Sequence, residues 1–109
     1  MGESIEKIRF FIRLKHKEYA KQAKKKLKKL MGKKVVIFLD KNSMHQIGET
    51  DQHTYETTFG VKVELRTATN KNAQGVKYWI ATSYAKLPEE LKSMVDFVEI
   101  DRPLSVDIP

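Results

Sequence analysis

The chain has 109 residues with 21 Lys/Arg, 14 Asp/Glu and no cysteine, which is one domain in size and excludes disulfides, thiolate zinc sites and cysteine nucleophiles. Its longest apolar run is VVIFL, residues 35–39, too short to cross a bilayer, and MGESIEK at the start has no apolar signal region; the chain reads as one cytoplasmic domain, 1–109. The formal charge of +7 is unevenly held: residues 1–34 carry 13 Lys/Arg and 3 Asp/Glu, whereas residues 35–109 carry 8 and 11.

KIRFFIRLK, residues 7–15, alternates Ile8, Phe10, Ile12 and Leu14 with Arg9, Phe11, Arg13 and Lys15. This period of two predicts a strand with one apolar and one mostly basic face. The competing reading is one long basic helix from Ser4 to Met31. Residues 16–32, HKEYAKQAKKKLKKLMG, place Tyr19, Ala20, Ala23, Leu27, Leu30 and Met31 on one stripe of period 3.6, so a helix is predicted over 16–31. Gly32 is placed to end it with a left-handed residue. KKVVIFLD, 33–40, is a continuous apolar run, which predicts a central strand covered on both faces.

Residues 44–56, MHQIGETDQHTYE, read as a polar loop. FGVKVELRT, 59–67, alternates Phe59, Val61, Val63 and Leu65 inward, and VKYWIATSY, 76–84, returns as its hairpin partner across TNKNAQG. Pro88 with Glu89 and Glu90 opens a short second helix through Val95, and DFVEID makes a last strand.

This order predicts an α+β domain, a ferredoxin-like sandwich of four to five mostly antiparallel strands with two helices. The alternative is the long basic helix followed by a small SH3- or Sm-like β-barrel. LKKLMGKKVVIFLD resembles the helix and first strand of Sm-like RNA-binding barrels, but the likeness stops at Asp40. YAKLPEEL with FVEIDRP is similar to the end of subtilisin-type propeptides, with a shorter intervening helix. Neither stretch assigns a family.

The residues singled out for binding are Lys17, Lys21, Lys24, Lys25 and Lys28 on the outer face of the 16–31 helix, with Arg9 and Arg13 extending the patch. A solvated helix face ordinarily mixes charge signs, but here Glu18 is the only acid nearby. Such a face suits phosphates, whose neutralisation releases counterions. The expected function is therefore largely sequence-independent nucleic-acid binding, to RNA or DNA, single-stranded or non-specific. Trp79, opposite the apolar set of its strand, is a candidate stacking residue for single strands. A membrane surface is not expected, because the apolar stripe is small and alanine-rich. The alternatives are an inhibitor or assembly factor, viral or plasmid-borne, that binds an acidic protein, and self-association as a homodimer.

Asp40, His45, Glu49, Asp51, His53 and Glu56 are ligand types for a metal, and a metal-dependent nuclease built on the 40–56 loop is the further alternative. The two histidines stand eight apart across Gly48 and match no metal register. No Walker loop, GxGxxG or serine elbow is present. A non-enzymatic protein without cofactor or metal is expected.

Overall fold

The structure is a computed structural model and describes residues 7–38, 44–69 and 75–101. Four strands form one antiparallel sheet: β1 (Ile8–Leu14), β2 (Val36–Phe38), β3 (His45–Thr50) and β6 (Val95–Ile100), in the order β2-β3-β1-β6. A separate two-stranded sheet pairs β4 (Val63–Thr67) with β5 (Lys77–Ala81). The helices are α1 (Ala20–Met31), between β1 and β2, and α2 (Gln52–Phe59), after β3.

The connections follow from strand direction. β1 and β2 are both antiparallel to β3, so they run the same way with β3 between them, and α1 makes the crossover. β3 and β6 likewise run the same way on either side of β1, joined through α2 and the β4-β5 hairpin. Two interlocked split βαβ units of this kind make a ferredoxin-like α+β domain with an inserted hairpin. The sheet is not closed into a barrel, which removes the SH3- or Sm-like alternative.

One face of the sheet holds the core. Ile8, Phe10, Ile12 and Leu14 of β1 are fully buried together with Ala23 and Leu27 of α1 and Tyr55 and Phe59 of α2. The β1 alternation thus forms as the sequence predicts, and the helix follows it after a short 3-10 turn over Lys17–Tyr19. Gly32 ends α1 with a φ of 74° and a ψ of −154°; the φ is positive, as expected, but the ψ lies outside the left-handed helical region.

Three expectations are corrected. The strand that the VVIFL run contributes, β2, lies at the sheet edge and is not central: Val36 and Phe38 are 48% and 49% exposed, while Ile37 between them is buried. The run is apolar on both faces because the outer sheet face itself carries apolar side chains. The 44–56 segment is a strand and most of a helix. Its inward residues are Gln46, Gly48 and Thr50, polar or small, so hydrophobic alternation could not reveal it. Each has a tertiary reason: Gln46 Nε2 donates to Ala20 O at 2.7 Å, Thr50 Oγ1 donates to Lys34 O at 2.9 Å, and Gly48 lies under the Phe10 ring. The second helix is accordingly α2; residues 89–91, expected in a longer helix, form only a 3-10 turn, and Phe59 ends α2 instead of starting the next strand. Residues 70–74, Asp40 and the tail beyond 101 lie outside the described residues.

α2 has a modest apolar face and three threonines, so its caps matter. Asp51 adopts extended backbone and its carboxylate accepts from Thr54 N at 2.8 Å, while Gly60 closes the other end at φ 57° and ψ 40°. Burial alone would raise the Asp51 pKa, but the Thr54 hydrogen bonds, with Lys34 and His53 nearby, hold it below the ordinary carboxylate value. Asp51→Ala should cost about 0.5–2 kcal/mol in urea denaturation. The sign of the pH effect follows from the depressed pKa: the stabilisation is complete above the unfolded carboxylate value and is lost as pH falls through the folded one. The wild type should therefore lose more stability than Asp51→Ala on acidification below about pH 4.

Candidate nucleic-acid interface

α1 buries Ala20, Ala23, Leu27 and Met31. At 100° per residue this puts Lys25 and Lys29 on the outermost line of the helix, with Lys21 and Lys26 to either side. Lys21, Lys25, Lys26, Lys28 and Lys29 are exposed, whereas Lys24 is half-buried at the edge of the apolar stripe. Lys17 is exposed in the turn before the helix. Among the described residues no lysine of α1 has an ion-pair partner; the acid of this region, Glu18, faces His16 at 3.9 Å. Lys26 and Lys29 thus belong to the cationic face of the helix as much as Lys21, Lys25 and Lys28, whereas Lys24, expected on the outer face, lies at its margin. A shallow cleft of about 430 Å³ between α1 and Met94 is lined by Gln22, Lys25, Lys26 and Lys29. The helical period in the sequence was sufficient to find both additional lysines.

Arg9 and Arg13 do not extend this face. They alternate with the buried residues of β1 and so project from the side of the sheet away from α1. The β1 alternation already implied it: a helix covering Ile8 to Leu14 must lie opposite the arginines. Arg9 pairs with Glu49 at 3.8 Å and with Asp101 at 3.5 Å, and Arg13 meets His45 Nε2 at 2.9 Å. Trp79 belongs to neither surface. It is half-buried against the main core and lines a cleft of about 610 Å³ with Tyr55, Tyr84 and the β6 edge. Burial, with Glu99 adding to it, pushes the Tyr55 phenol well above its ordinary pKa.

The acidic and histidine residues of 45–56 are dispersed by the fold. His45 and Glu49 lie on β3, Asp51 caps α2, and His53 is exposed on the helix. Glu56 accepts from Val63 N at 2.9 Å, tying α2 to the start of β4. Among the described residues no cluster of three or more His, Asp or Glu could hold a metal ion, and no helix is long and apolar enough to cross a membrane.

No family model, curated protein or solved structure matches the chain.

Proposed function

We propose that the protein binds nucleic acid through the lysine face of α1, contacting phosphates and not bases. The observation that carries this reading is the set of exposed lysines Lys21, Lys25, Lys26, Lys28 and Lys29, none of which has an acid partner among the described residues. Like charges three and four apart on a helix destabilise it, and a polyanion relieves that repulsion. Phosphate contacts position a ligand without reading sequence, so affinity should depend weakly on base composition.

Electrophoretic mobility shift over a range of salt concentrations tests this. With about five phosphate contacts, log affinity should fall against log salt with a slope of roughly −4.5 for duplex and −3.5 for single strands. A slope near zero, or no binding at low salt, would falsify the reading.

A further inference from the structure

The edge strands β5 and β6 do not pair with each other: β5 bonds only to β4, and β6 closes one end of the main sheet. Between them lies the cleft of about 610 Å³, within the size range of small-molecule sites. Tyr55 and Val98, both buried, reach it from the core, and half-buried Trp79 forms one wall. Tyr84, 95% exposed, stands at its mouth. No residue of α1 lines the cleft, so it is independent of the lysine face.

Two polar groups in this cleft are without partners. Tyr55 is only 1% exposed, yet among the described residues its phenol makes no hydrogen bond, whereas a buried hydroxyl ordinarily has one. Glu99 is the one charged residue that lines the cleft, and it has no ion pair among the described residues. Arg9 and Arg13, which flank its register partner Phe11, are held by Glu49 and Asp101 and by His45. The Glu99 carboxylate is close enough to the phenol to add to the rise in the Tyr55 pKa, and no cation acts there to offset it. A field that disfavours phenolate favours a cation in the same place. The preferred sign is therefore set locally, and it is opposite to that of the whole chain.

We infer that this cleft binds a small organic ammonium ion, whose N–H groups meet the Glu99 carboxylate and the Tyr55 phenol oxygen and whose hydrocarbon part lies against Trp79. A primary ammonium has three donors and no acceptor, so one ion serves both oxygens. Its charge is also attracted to the faces of Trp and Tyr rings, the aromatic types that line this cleft. Phosphate is repelled by Glu99, which keeps the cleft apart from the nucleic-acid interface in ligand as well as in position.

Trp79 is the one tryptophan of the chain, so its indole N–H resonance reports on the cleft directly. The full chain is titrated with phenethylamine and with 2-phenylethanol, a neutral molecule of nearly the same shape. Ligands of this size bind at about millimolar concentration, and the amine should bind about 5- to 10-fold more tightly than the alcohol. In Glu99→Gln that preference should vanish. Tyr55→Phe, which keeps the core ring, should weaken amine binding about 2- to 10-fold without lowering the melting temperature, because the phenol has no partner to lose. Nα-acetyl-lysine methylamide presents the same group as a peptide side chain does; Glu99-dependent binding of either amine supports the site, and the tighter of the two names its source. Equal affinity for amine and alcohol, a preference that survives Glu99→Gln, or an indole unmoved at roughly ten times the millimolar range would overturn the inference. A lower melting temperature in Tyr55→Phe would show that the phenol is already partnered and overturn its place in the site.

Discussion

Phe10→Ala should destabilise the fold by about 3–5 kcal/mol, a large share of the roughly 5–15 kcal/mol that holds a domain of this size together. The ring is fully buried at the centre of the molecule. It lies 5.3 Å from the Tyr55 ring and 5.7 Å from Phe59, which are themselves 5.0 Å apart. On another side is Gly48 of β3, its register partner. A Cβ at Gly48 would collide with the ring tip and come within 2.9 Å of both flanking carbons, Cε1 and Cε2. The ring has no room to retreat, because Tyr55 and Phe59 wall it in. Gly48→Ala should therefore cost about 1–3 kcal/mol by overpacking. The two changes compete for one space, so the double variant should be more stable than the sum of the single effects by about 0.5–3 kcal/mol. Urea denaturation of the four proteins measures this cycle, and strict additivity would show that the Phe10–Gly48 contact does not set the β1–β3 packing.

The same contact explains much of what the sequence concealed. β1 was legible because Ile8, Phe10, Ile12 and Leu14 announce their face by alternation. β3, the strand beside it, alternates just as regularly in burial, but with Gln46, Gly48 and Thr50 inside. Gly48 is inward because the large ring opposite needs its space, and Gln46 because the start of α1 offers it a carbonyl. Such complementarity exists only once both partners are placed, so no single-segment pattern carries it. β2 misled in the opposite sense: apolar residues on both faces suggested burial on both, whereas one side belongs to the open face. α2 had signals that a reading by hydrophobic period passes over, namely Asp51 as cap and Gly60 as stop. For the site, the lysine period was enough to place the cationic face. The apolar outer sheet face was not legible, since Phe38, Phe11 and Phe97 come from three strands and share a face only through the register of a four-stranded sheet.

Charge reversal of Lys25, Lys26 and Lys29 together should weaken nucleic-acid binding by on the order of 10²- to 10³-fold at about 0.1 M salt and flatten the salt slope by roughly 2–3 units. Each phosphate contact contributes about 0.7–0.9 to the slope, and at this salt concentration about the same number of decades to affinity. These three line the cleft beside Met94, and Lys25 and Lys29 occupy the outermost line of α1, where a backbone can approach closest. Lys24→Glu should have a smaller effect, because its side chain is half-buried at the margin of the core. Circular dichroism must show that the variant stays folded, since the new acids attract Lys21, Lys28 and Lys33 but repel one another at 25/29 and 26/29, and the one at 29 stands in the last turn of α1. Reversal of Lys62 and Lys77, exposed on the hairpin and outside the α1 face, separates a local site from bulk charge, because surface charges beyond about 10 Å are screened at this ionic strength. If reversal at these two positions weakened binding as much per charge as reversal on α1, net positive charge alone would account for the affinity, and the α1 face would have no special role.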